Sequence, residues 1–319
     1  MSKNHVVGVD VGGQTSKIGV VDVHGNLLAQ TVIRSDVYGS DADAFIAALA
    51  AAIKSCVEAS GVDDIRGVGV GAPNANYYTG QICNAANLAW ASDKSVDFAR
   101  LLSEQLGGIP VSLTNDANAA AMGEMAYGVA KGLKHFIMIT LGTGVGSGIV
   151  VDGKLLYGSD GFAGELGHVK VVRNNGRLCG CGGHGCLEAY CSAIGLARTA
   201  AEWLESGDEP SLLRGLENIS SKDVYDAAKQ GDAFALRVFD YTGRLLGESF
   251  ANFVAFSSPE AIVLFGGLAR AKEFLYQPMY DAMNENLMKT WKGKVQILFS
   301  QLKESDAAIL GASALAWEL

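Results

Sequence analysis

The chain has 319 residues, 49% hydrophobic and only 18% charged, with 25 Lys and Arg against 34 Asp and Glu, a formal net charge of −9. This composition excludes a disordered protein and supplies cores for about two domains. The acidic balance argues against nucleic acid and anionic membranes as partners.

In chain order, the apolar runs near 6–11, 18–21 and 27–33 predict three short strands joined by tight turns. A helix is expected over 41–60, stopped by Gly61. A strand from Val68 runs into Gly71-Ala-Pro73-Asn74, a helix follows over 97–106, and a short strand over 111–113 leads into a helix over 116–129. Strands at 135–141 and 149–151 come next, then a Cys/Gly-rich loop over 176–187. Helices are expected over 188–205, 220–229 and 232–257, strands at 261–265 and 295–299, and a last helix over 305–319. Strands alternating with helices give an α/β fold. No secretory signal is visible, and the longest helix-like apolar run, 44–53, is too short to span a membrane. Six cysteines in such a chain point to reduced thiols or metal ligands, and to the cytoplasm.

The opening recurs. At a constant offset, His5 falls on His135, Gly12 on Gly142, and Val20-Val21-Asp22 on Val150-Val151-Asp152, as a duplicated α/β unit would give. Glycine is abundant, at 40 residues against 5 prolines, and many of the glycines sit in the matching turns. Asp10-Val-Gly12-Gly13-Gln14-Thr15 offers a carboxylate for a phosphate-bridging metal ion and a backbone turn that can approach an anion. Gly142-Thr143-Gly144-Val-Gly146-Ser-Gly148 offers a second backbone cradle; its spacing fits neither a Walker P-loop nor a Rossmann fingerprint. In Thr114-Asn115-Asp116-Ala-Asn118, Asp116 suits either a helix N-cap or a general base aimed at a hydroxyl.

The most specific pattern is His168 followed by Cys179-Gly-Cys181-Gly-Gly-His184-Gly-Cys186. Cys₃His is a complete tetrahedral zinc set with no position left for water, hence a structural metal, with His184 competing for the nitrogen place. Glu165 and Glu188 flank this cluster, and carboxylates are natural acceptors for sugar hydroxyls.

Together, Gly164-Glu-Leu-Gly-His168, Asn115-Asp116-Ala-Asn118, the second glycine run and Cys179-Gly-Cys-Gly-Gly-His-Gly-Cys-Leu-Glu188 resemble the ROK family of sugar kinases, which also contains repressors. The resemblance covers nearly the whole chain and is greatest to bacterial glucokinase-like members. It implies a two-domain actin-like (ribonuclease-H-like) ATPase fold with an interdomain cleft. The smaller domain would hold residues 1–114 plus 305–319, and the larger 115–304. It further implies an ATP-dependent hexose 6-kinase, glucose being the expected substrate and N-acetylglucosamine or N-acetylmannosamine the alternatives. Asp116 would be the base, and Asn87, Asn115, Asp116, Glu165, His168 and Glu188 would hold the sugar. Asp10, Gly12, Gly13, Gln14, Thr15, Thr143, Gly144, Gly266 and Gly267 would hold ATP and Mg²⁺. His168, Cys179, Cys181 and Cys186 would hold zinc, one histidine nitrogen on the metal and the other free for the sugar. A homodimer is implied. A repressor is disfavoured because five residues precede the first strand, and a non-transferring ATPase because Asn115-Asp116 is intact. Two departures stand out: Gln14 where the family commonly has Gly-Gly-Thr, and a Gly71-Ala-Pro-Asn74 loop without the usual second glycine.

Overall fold

The computed structural model describes residues 3–319. Its first half holds β1 (His5–Val11), β2 (Thr15–Asp22), β3 (Leu27–Arg34), α1 (Ala42–Ser60), β4 (Ile65–Gly71), β5 (Ala75–Asn76), β6 (Gln81–Cys83), β7 (Ser95–Val96), α2 (Phe98–Gln105), β8 (Val111–Thr114) and α3 (Asp116–Tyr127). Its second half holds β9 (Phe136–Leu141), β10 (Val145–Val151), β11 (Lys154–Leu155), α4 (Glu188–Cys191), α5 (Ala193–Ser206), α6 (Ser221–Lys229), α7 (Ala233–Ser257), β12 (Ala261–Phe265), α8 (Lys272–Asn286), β13 (Gln296–Phe299) and α9 (Glu304–Ala316).

Two five-stranded sheets share one topology: β3-β2-β1-β4-β8 and β11-β10-β9-β12-β13. In each, the first strand pairs antiparallel with the second and parallel with the fourth. This is the architecture a duplication predicts. The register corrects the ungapped alignment by one residue: Val11 pairs with Ser16, but Leu141 pairs with Val145. The second hairpin is one residue tighter, so the matching offset holds along β1 and slips along β2, and Val20 corresponds to Ile149.

Each sheet is covered on both faces. On the first, α1 and α2 bury Phe45, Leu49, Ile53 and Phe98 together with Trp90, while α9 seals the other side with Ile309, Leu310 and Ala316. On the second, α4 to α8 build one core, and α3 packs against β9 and β10 on the other side. Helices α3 and α9 lie against each other between the sheets.

Local chemistry explains the boundaries. Asp41 accepts the Ala44 N–H to start α1, and Gly61 closes it in the left-handed region. The helix expected over 188–205 is two helices. Ser192 breaks it with extended backbone, and its hydroxyl caps α5 by accepting the Gly195 N–H. Helix α8 lies outside the sequence expectation: Pro278 interrupts its pattern, yet it lies along α7 and buries Leu275, Met279 and Met283. The last helix ends at Ala316 rather than 319. Among the described residues, no helix is long and apolar enough to cross a membrane.

Candidate active site

The parallel strands of both sheets end at one cleft of about 870 Å³, the usual ligand position in α/β sheets. From the first sheet come Asp10 on β1, Gly71 at the end of β4, and Asn115 and Asp116 after β8. From the second come Thr140 and Gly142–Ser147 around the β9–β10 turn, and Phe265, Gly266 and Gly267 at the end of β12. Asn87, Glu165, His168, Cys179 and Glu188 also line it.

Of the expected residues, Asp10, Asn87, Asn115, Asp116, Thr143, Gly144, Glu165, His168, Glu188, Gly266 and Gly267 therefore share one cavity. Gly12, Gly13, Gln14 and Thr15 do not line it; they form the β1–β2 turn, where the Gly12 N–H bonds the Thr15 carbonyl. Gly13 abuts the carbonyl of Asn87, which does line the cleft. Phe162, Leu178, Ile194 and Arg198 line the cleft without having been anticipated. Phe162 lies just ahead of the Gly164-Glu-Leu-Gly-His168 motif, and Ile194 and Arg198 share one face of α5, an i,i+4 spacing that periodicity reveals only once the Ser192 break is known.

The start of α3 takes the N-cap role away from Asp116. Asn115 is the cap, its side-chain oxygen accepting the Asn118 N–H at 2.7 Å. Asp116 is thereby released to face the cleft, held by the Ala117 N–H at 2.9 Å. Crowding by the cleft walls removes bulk water and pushes the Asp116 carboxyl above its ordinary pKa. Desolvation likewise raises Asp10, to about 6, with Lys17 opposing and Asp116 adding repulsion. Glu165 is raised by desolvation too, although His168 opposes it.

Gly164-Glu-Leu-Gly-His168 folds as a short turn against β10. A side chain at Gly167 would collide with the Val145 carbonyl at 2.0 Å, so only glycine lets the turn lie flat on the strand. Ser147 fastens it, its hydroxyl bonding the Gly164 carbonyl and accepting the Leu166 N–H. His168 then points two ways: Nδ1 lies 3.7 Å from Cys179 Sγ, and Nε2 lies 3.9 Å from Glu165 Oε2.

His168, Cys179, Cys181 and Cys186 gather with all four donor atoms within 4.8 Å of one another. Cys181 and Cys186 sulfurs are 3.7 Å apart. Ligands about 2.3 Å from a tetrahedral zinc are separated by about 3.8 Å, so the donor set and its spacing fit that ion. His184 is exposed and outside the cluster. Arg177 anchors the loop, bonding Glu202, Thr199 and the Ala189 carbonyl while its guanidinium lies 4.4 Å over Tyr190.

The ROK family model matches residues 6–318. The glucokinase of Halalkalibacterium halodurans is 38% identical over 290 residues, covering 88% of this chain and 85% of that one. The glucokinase of Thermotoga maritima is 35% identical, covering 99% and 98%. The structure of a ROK family glucokinase from Streptomyces griseus in complex with glucose and AMPPNP superposes with a TM-score of 0.79 at 32% identity, over 99% of this chain and 100% of that one. The two like sheets flanking a cleft are the two-domain actin-like fold of such kinases.

Proposed function

The chain belongs to the ROK family, and from that premise we propose that it is an ATP-dependent hexose 6-kinase acting on glucose. The observation that carries this reading is the cleft itself. A hydroxyl-acceptor base (Asp116), sugar-type acceptors (Asn115, Glu165, His168, Glu188) and a glycine turn (Thr143, Gly144) share one cavity, and relatives 38% and 35% identical to the chain are glucokinases.

Phosphoryl transfer asks the protein mainly for alignment and charge neutralisation. Asp116 takes the proton of the attacking 6-hydroxyl, and its raised pKa brings it nearer the optimum for a base at neutral pH. Asn87, Asn115, Glu165, His168 and Glu188 orient the sugar. The glycine turn at 142–146 and Gly266-Gly267 take the nucleotide. Gly12–Thr15, the turn that follows Asp10 and abuts Asn87, hold the nucleotide phosphates beside it. Asp10 is the residue to hold Mg²⁺, which supplies charge neutralisation between phosphates. His168, Cys179, Cys181 and Cys186 would hold a structural zinc, which would supply rigidity to the loop, and His168 offers Nε2 to the sugar. Division into 1–114 plus 305–319 and 115–304 belongs to the same reading, supported by α9 lying on β1 and β4. So do the homodimer and the cytoplasmic location.

The test is ADP release with ATP, Mg²⁺ and a panel of hexoses including the N-acetylated ones, with the product identified by mass and ³¹P resonance. Glucose 6-phosphate as the best product is the expected result. ADP release that is independent of sugar would overturn the kinase reading, and preference for an N-acetyl sugar would overturn the substrate.

A further inference from the structure

The Glu188 carboxylate is engaged by the protein itself. Oε2 accepts the Val145 N–H at 3.0 Å, and Oε1 lies 3.3 Å from Cys179 Sγ. Val145 closes the 142–145 turn, and Glu188 stands two residues after Cys186 of the Cys₃His cluster, so one side chain joins the two loops through the chain itself; a metal-bound Cys179 thiolate would have no proton to donate to Oε1. The turn is shaped for this reach: a Cβ on Gly144 would stand 2.5 Å from Glu188 Oε2. Its other fastenings run to the same region, since the Gly142 carbonyl accepts the Ala193 N–H at 2.8 Å at the start of α5.

We propose that Glu188 is a positioning residue for the nucleotide turn, through which the metal-binding loop sets the turn's shape. The metal site then governs nucleotide binding as well as sugar binding. Each carboxylate oxygen carries two acceptor positions, so the sugar role of Glu188 is retained. The proposal rests on the reading of 142–145 as the nucleotide turn. A carboxylate bond to a backbone N–H is among the stronger hydrogen bonds available, and losing it frees the turn to take other conformations that a nucleotide must then order.

The test is calorimetric binding of Mg²⁺·ADP, with no sugar present, to four proteins: wild type, Glu188→Ala, Glu188→Asp and Glu188→Gln, each before and after treatment with a zinc chelator. Thermal melts check that each is folded. The expected result is a weakening of at least about fivefold, the lower end of ordinary coupling between sites, for Ala and for Asp, whose shorter side chain cannot reach Val145. Gln retains an acceptor for the Val145 N–H and binds within about twofold of wild type by the same criterion. Chelation weakens ADP binding to wild type but adds nothing to Glu188→Ala. Wild-type affinity in both Ala and Asp variants, or chelation losses that multiply with the Ala loss, would overturn the coupling. A wild-type protein that fails to bind ADP at all overturns instead the nucleotide reading on which it stands.

Discussion

Asp10 and Asp116 reach one cleft from the ends of β1 and β8, and their environments have separable consequences. Asp10 is raised to about 6 chiefly by desolvation. A carboxyl with its folded pKa above its unfolded value stabilises the fold fully only below the unfolded pKa, and that contribution is lost as pH rises through 6. Asp10→Asn should therefore stabilise the ligand-free protein at pH 7, by at most about 3 kcal/mol, and by much less near pH 4.5. Denaturant titration at the two pH values checks this, and an equal gain at both would contradict it. Asp116 must be ionised to act, and its pKa is raised, so the acid limb of the kcat profile should lie above the ordinary aspartate range near ~4. Asp116→Asn should lower kcat by roughly 10²–10⁴-fold while glucose still binds. Full activity in that variant would remove Asp116 from the role of base.

Among elements, the Cys/Gly-rich loop over 176–187 carries the clearest expectation, because five glycines and three cysteines give it little else to fold around. Cys181 is the exposed ligand of the cluster, while Cys179 and Cys186 are buried. Cys181→Ser should therefore leave the core packing intact, lose bound zinc on metal analysis, and raise KM for the sugar several-fold as His168 loses its anchor. A wild-type protein without zinc would refute the assignment. The gathering of His168 with the three cysteines was legible because ligand chemistry ties residue type to spacing. The strands of both sheets, the two-residue β11 excepted, were legible from their apolar runs, and the duplication from the recurrence of β1 in β9. What stayed hidden needed tertiary information. Strands β5, β6 and β7 have two or three residues each and show no period. Helix α8 has Pro278 in its interior and a largely polar sequence, and is held by the face it turns to α7. The one-residue slip in the second hairpin is invisible until pairing is seen. That Asn115 rather than Asp116 is the cap follows from its extended backbone ahead of a helical Asp116, which composition does not encode.

At the scale of the whole molecule, the cleft has a wall from each half of the chain, and a few contacts tie the walls together away from the chemistry. Tyr77, between β5 and β6, stacks on Tyr157, just after β11, with ring centroids 4.0 Å apart and planes 6° from parallel. The Tyr78 hydroxyl bonds the Gly158 carbonyl at 2.9 Å, and the Asn76 amide bonds the Asp160 carbonyl at 2.6 Å. The first strand of contacts follows directly on Pro73 and Asn74, and the second runs directly into Phe162 and Glu165, all of which line the cleft. The stack thus holds in register two segments that line the same cleft. Tyr77→Leu keeps apolar bulk but removes the ring, and an aromatic pair contributes about 0.5–1.5 kcal/mol beyond its buried area. If that energy orders the walls before the sugar arrives, the variant should raise KM for the hexose by roughly 2- to 12-fold. The Kd for ADP measured without sugar should change little, because Gly142–Ser147 and Gly266-Gly267 belong to the second sheet alone. Steady-state kinetics paired with calorimetry separates the two effects. An equal loss for sugar and ADP would mean that the stack supports the fold at large, and the walls of this kinase would then be ordered by the central pair of helices, α3 and α9, instead.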